Sequence, residues 1–135
     1  MSYPIAVIGA DADEARKLRA LRIRTAEGLL EAARTAKGRR QLAEDTGIDE
    51  SRLLCLANCA DRMRIKGLGR EYAKVLPAVG VDTVKELKYR NPEKLAHAIA
   101  ELNKKRKMLR FLPTVNLVTR WIDQAKKLPL KITYR

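Results

Sequence analysis

Ile65-Lys66-Gly67-Leu68-Gly69 follows one apolar helical pattern and opens another, Arg70 to Val79. Two glycines so close together allow left-handed backbone and let a flat anion come near. A helix that starts directly after such a turn offers unpaired N–H groups and the positive end of its dipole. That combination suits a phosphate held through the backbone, with no reading of bases. The N–H groups of Gly67, Gly69, Arg70 and Glu71 are the expected donors, and Leu68 is expected to anchor the bend in the core. Lys66, Arg70 and Lys74 add charge, the last two lying four apart on one helical face. A bare Gly-x-Gly also makes an ordinary tight turn. Here Ile65 flanks it, Ala73 is small where two helices would cross, and Leu76 fills the space between them.

The stretch has a counterpart earlier in the chain. A shift of 58 positions lays Val7–Leu29 on Ile65–Leu87. Gly9 then meets Gly67, Ala15 meets Ala73, Leu18 meets Leu76, Ala20 meets Ala78, Thr25 meets Thr83, and Leu29 meets Leu87. The identities fall where helices pack or turns bend, which marks a duplicated unit. The first copy departs at one point: Asp11 stands where the second has Gly69, with Asp13 and Glu14 behind it. A carboxylate there caps the helix and repels a phosphate. The first turn is therefore expected to be structural.

Helix boundaries follow from the caps. Asp11 with Glu14 and Thr83 with Glu86 form capping boxes, while Thr25 caps without one because Gly28 stands at the third position. Asn91 before Pro92 reads as a cap followed by proline at the first helical position. A central helix from about Glu50 to Arg64 carries the apolar stripe Leu53, Leu56, Ala57, Ala60, Met63, and is expected to lie between the two units. Pro77 should end or bend the helix that contains it. A last amphipathic helix runs from Thr114 to Lys127, with Val115, Val118, Ile122 and Ala125 on one face and Trp121 beside it. Arg120, Asp123, Gln124 and Lys127 are expected to point away from that face.

The 135 residues include 46% apolar but only 4% aromatic side chains, a composition suited to a helical core of Leu, Ile, Val and Ala. Net charge is +13, which points to a polyanion, nucleic acid above all. Residues 1–103 carry a net +4 and residues 104–135 a net +9. The excess begins at Lys104-Lys105-Arg106-Lys107 and continues at Arg110, which makes this run a second candidate for phosphate contact.

Cys55 and Cys59 are too few for a disulfide framework. Together with His97 they fall short of the four ligands of a structural zinc site, so they read as helix-packing residues. No metal or other cofactor is expected. No nucleophile stands beside a base, carboxylates are spread singly, and no nucleotide-hydrolase phosphate loop is present. The chain is expected not to be an enzyme. The apolar run Ile5–Ala10 lacks the basic lead of a signal peptide, and no stretch has the length of a bilayer span. The expectation is a cytoplasmic protein with no membrane partner.

The segment Ile65–Gly69 with Ala73 and Leu76 resembles the helix-hairpin-helix motif of DNA-binding and DNA-repair proteins. In that family two motifs pack through a connecting helix into a pseudo-symmetric domain that grips the DNA backbone. Gly47–Ser51, Ala60–Gly69 and Gly80–Leu87 also resemble a bacterial domain-of-unknown-function family with degenerate double hairpins, and the likeness covers roughly Ile5 to Lys127. The implied fold is all-α, a tandem helix-hairpin-helix at 1–103 with a first unit at 5–48, a central helix at 49–64 and a second unit at 65–103. A basic segment and a C-terminal amphipathic helix at 104–135 pack on it. The implied function is non-catalytic, largely sequence-independent DNA-backbone binding. Lys66, Gly67, Leu68, Gly69, Arg70 and Lys74, with Lys104, Lys105, Arg106, Lys107 and Arg110, form the expected site. The alternatives are a protein-interaction module or a binder of structured RNA.

Overall fold

Nearly every helix of this chain starts at a residue able to cap it. In the computed structural model, which describes residues 3–134, the elements are all helical: a 3-10 turn Ile5–Ile8, then α1 (Ala12–Ala20), α2 (Ala26–Ala33), α3 (Ala36–Thr46), α4 (Glu50–Arg62), α5 (Gly69–Ala78), α6 (Val84–Lys88), α7 (Pro92–Arg106) and α8 (Val115–Lys127). Side chains cap α1 (Asp11), α2 (Thr25), α3 (Thr35), α6 (Thr83), α7 (Asn91) and α8 (Thr114). Both expected capping boxes form, at Asp11–Glu14 and Thr83–Glu86. Thr25 caps α2 through the Gly28 N–H alone. Pro77 sits in the last turn of α5, which ends one residue later. The fold class is all-α, and no helix among the described residues is long and apolar enough to cross a membrane.

The chain divides into two compact units. Unit 1 holds residues 1–61 with 130–135, and unit 2 holds residues 62–129. In unit 1, α2 packs on α3, and the 3-10 turn lies on α1 and α2. Ile5, Leu18, Leu29 and Ala33 are wholly enclosed. The segment Leu130–Tyr134 forms no strand; it returns along this unit, where the Thr133 N–H donates to the Arg34 carbonyl at 2.7 Å and the Arg39 guanidinium donates to the Thr133 carbonyl at 2.7 Å. In unit 2, α8 packs on both α6 and α7, and α5 touches α7. Leu76, Leu87, Leu95, Ile99, Val118 and Trp121 are wholly enclosed there. The Trp121 ring meets Tyr72 of α5 with centroids 5.2 Å apart and planes tilted by 50°, a favourable aromatic geometry. Trp121 therefore docks α8 onto the unit, as its place beside the apolar face suggests.

Positions paired by the shift of 58 share backbone detail within each unit. At the shift of 58, α2 and α6 begin at corresponding residues, Ala26 and Val84. The turn after α1 closes with Ile23 N–H donating to Leu18 C=O at 3.0 Å, and the turn after α5 with Val81 N–H donating to Leu76 C=O at 2.9 Å. Arg22 and Gly80 hold the same left-handed position in these turns, φ 64° and 87°. Correspondence extends to the fourth helix of each set. At a shift of 65, Leu53, Leu56, Ala57 and Ala60 of α4 answer to Val118, Trp121, Ile122 and Ala125 of α8, and all eight are buried.

α7 runs through residue 103, so Lys104, Lys105 and Arg106 are its last turn and Lys107 is its left-handed cap at φ 49°. Cationic side chains there complement the negative end of the helix dipole. The apolar stripe of α4 is buried as its spacing predicts. Of its two cysteines, Cys59 is buried and Cys55 exposed, so packing accounts for only one of them.

Candidate nucleic-acid interface

The turn before α5 is built from three local requirements. Ile65 and Leu68 are buried and pin it from below. Gly67 and Gly69 take φ of 84° and 64°, where a side chain costs about 1–2 kcal/mol. The Leu68 N–H closes the bend on the Ile65 carbonyl at 3.3 Å. α5 then starts at Gly69 with no side chain capping it, unlike α1 and α6. The first N–H groups of a helix have no intrahelical partners. A Cβ built on Gly69 would meet no atom within 4 Å, so the space beside its Cα is open. Lys66, Arg70 and Lys74, on the turn and the first turns of α5, are all exposed. Glu71 is exposed in the same first turn, where a carboxylate favours the helix dipole and also counters a bound anion.

α8 covers the other half of the turn. The Gln124 amide lies against the Lys66 backbone, accepting from its N–H at 2.8 Å and donating to its carbonyl at 2.9 Å. A Cβ on Gly67 would stand 3.5 Å from Leu117 Cδ1. Gln124 does not point away from the packed face as its spacing predicts; it is half-buried and grips the turn. Helical spacing assigns a face, not a partner, and Gln124 stands at the edge of the apolar stripe. Arg120, Asp123 and Lys127 are exposed as expected. The uncapped part of the turn is thus Gly69 onward, while the Lys66 backbone is already engaged.

The first copy of the turn has different chemistry. Gly9 keeps its left-handed φ of 93°, but Asp11 is extended at φ −74° and its carboxylate accepts from the Glu14 N–H at 2.8 Å. Glu14 in turn accepts from the Asp11 N–H at 3.0 Å. Arg52 of α4 locks the arrangement. Its Nε and Nη2 donate to the Glu14 carboxylate at 2.8 and 2.9 Å, and Nη2 donates to the Gly9 carbonyl at 2.8 Å. The Arg52 hydrogen bonds hold the Glu14 carboxyl below the usual carboxylate range, and the same pairing raises Arg52 further. The end of α1 that an anion would approach is occupied by the protein's own carboxylates.

The second basic cluster also belongs to unit 2. Lys104, Lys105, Arg106, Lys107 and Arg110 are all exposed. Lys104 pairs with Glu101 at 3.1 Å, and that hydrogen bond pulls the Glu101 carboxyl down. The loop after α7 is held by Asn103, whose side chain accepts from the Leu109 N–H at 2.7 Å and donates to the Leu109 carbonyl at 3.0 Å. Tyr72, in the first turns of α5, donates its hydroxyl to the Phe111 carbonyl at 3.0 Å. This bond ties the basic loop to the helix that carries the glycine turn. Neither Tyr72 nor Phe111 is among the residues that the sequence singles out; a lone aromatic in a basic run is the signal that points to Phe111.

Among the described residues, no three His, Cys, Asp or Glu side chains gather as a metal site would require. His97 is an exposed residue of α7. No solved structure matches the chain. A family model described as Domain of unknown function (DUF4332) matches residues 9–128, nearly the whole chain. The chain belongs to this family, DUF4332, whose description assigns no activity.

Proposed function

We propose that this protein is a non-catalytic binder of the DNA backbone, largely indifferent to sequence, acting through the turn before α5. In this reading both turns descend from one helix-hairpin-helix design, and only the second keeps its phosphate grip. One observation carries it: the turn into α5 has two left-handed glycines, the helix has no capping side chain, and the space beside the Gly69 Cα is open. Gly69 and Arg70 supply N–H donors, and Lys66, Arg70 and Lys74 supply charge. Gly67 and Leu68 shape the bend, and Lys104, Lys105, Arg106, Lys107 and Arg110 extend the footprint. The first copy argues the same way by contrast, since Asp11 and Glu14 fill the corresponding helix end. The residues invoked are electrostatic and backbone groups, which fix position on a duplex without reading sequence.

The test is a titration against duplex DNA and structured RNA over a salt series. Binding to duplex DNA that weakens steeply with salt, is indifferent to sequence, and drops on Lys66→Glu supports the reading. Preference for folded RNA, or no binding at low salt, contradicts it; the latter leaves a protein partner as the remaining role for the surface.

A further inference from the structure

Phe111 is one of the few aromatic residues of the chain, and 71% of it is exposed. An exposed phenylalanine on a frayed loop would carry little meaning. This one is presented by an anchored loop. Leu109 and Pro113 are buried on either side, Asn103 clamps Leu109 through both backbone groups, and Tyr72 holds the Phe111 carbonyl itself. The backbone is fixed while the ring is turned to solvent, which costs apolar exposure that a polar residue would avoid.

The surroundings specify the occupant. Residues 104–112 include five basic and no acidic side chains. The Arg110 guanidinium lies over the Phe111 ring, 5.6 Å from its centroid, which leaves a flat cationic and aromatic pair facing outward. Met108 and Leu112 are exposed beside it, at 40% and 50%. A ring set among cations and offered on a fixed backbone is the arrangement that stacks a nucleobase while the cations hold its phosphates. Bases within a duplex are already stacked on each other, so the ring requires an unpaired one.

We infer that Phe111, backed by Arg110, stacks on an unpaired base, so that the α7–α8 loop takes a single-stranded stretch of DNA. This rests on the DNA-binding reading above and adds to it an unpaired stretch of the same ligand, taken by the α7–α8 loop. The Tyr72–Phe111 bond places the stacking ring beside α5, so one ligand meets the helix end through its phosphates and Phe111 through a base.

The test compares a labelled oligothymidylate of about 15 nucleotides, enough for one site, with a blunt duplex. Phe111→Ala is expected to weaken binding of the single strand about tenfold or more and to shift duplex affinity less than about twofold. Phe111→Trp restores single-strand binding. The inference is overturned if wild type binds duplex but not the single strand, if Phe111→Ala leaves single-strand affinity unchanged, or if it lowers both equally. The first and third of those outcomes leave duplex binding, and so the broader reading, standing; in the second, the wild-type duplex titration decides the broader reading. Absence of binding to both probes overturns the two together. Circular dichroism of each variant confirms its fold, which an exposed side chain should not disturb.

Discussion

Gln124 is hydrogen-bonded to both backbone groups of Lys66, at 2.8 and 2.9 Å, so α8 is part of the glycine turn and not an appendage to it. Arg52 of α4 has the corresponding role in the first unit, gripping the Gly9 carbonyl at 2.8 Å together with Glu14. In each unit the fourth helix fixes the turn that precedes the first. The difference between the two grips is chemical. One uses a neutral amide and leaves the helix end free; the other uses a cation that draws a carboxylate over it.

Removing the amide should loosen the turn. Gln124→Ala is expected to lower stability by about 1 kcal/mol, the usual net value of a hydrogen bond. Amide exchange at Lys66 should quicken in the same variant. Unchanged exchange at Lys66 would mean that the Gln124 amide does not hold the turn.

The Glu14–Arg52 pair makes a prediction in pH. Glu14 has its carboxyl pulled down in the folded state, so its contribution is present above the ordinary glutamate value, about 4.3, and is lost as pH falls through the lower folded value. Glu14→Gln should cost about 1 kcal/mol at neutral pH, given partial solvent screening. Thermal melts of the two proteins should converge in acid. A gap that persists undiminished in strong acid would assign the effect to the cap and not to the charge.

The paired left-handed positions Arg22 and Gly80 differ in strain. A side chain at such a φ costs about 1–2 kcal/mol. Gly80→Ala should therefore destabilise by about 1 kcal/mol, and Arg22→Gly should be neutral or stabilising. Denaturant melts decide it; a stabilising Gly80→Ala would show that the turn relaxes out of the left-handed region.

Much of this architecture follows from local chemistry that sequence displays directly. Asp11, Thr25, Thr83 and Asn91 cap the helices that their side chains predict, because capping depends only on residues within one turn. The repeat shows in the sequence at one shift, from Val7 to Leu87, through the first two helices of each set. That shift does not carry into the fourth helices, because connections of different length move α4 and α8 to a shift of 65. From sequence α8 therefore reads as an addition, though its buried pattern matches that of α4. The glycine turn is evident from its spacing, and its partner Gln124 is not. Periodicity places a side chain on a face, while a contact across 58 residues depends on how the helices pack. The exposed Phe111 and its anchor Tyr72 are hidden for the same reason.

The basic end of α7 should add to binding without defining it. Replacing Lys105, Arg106 and Lys107 with alanine should weaken DNA binding uniformly across sequences and reduce its salt slope by about 1 for each phosphate no longer neutralised. An unchanged slope would remove this cluster from the footprint.

The most direct measurement is duplex-DNA affinity by fluorescence anisotropy between about 50 and 200 mM salt for Gly69→Asp, Gly69→Asn and Asp11→Gly. Asp and Asn both tolerate the left-handed conformation better than other side chains, so comparing the two isolates charge from shape. The account predicts that Gly69→Asp reduces affinity about tenfold or more, Gly69→Asn much less, and Asp11→Gly not at all. Wild-type affinity in Gly69→Asp, or dependence on Asp11 in place of Gly69, would contradict it.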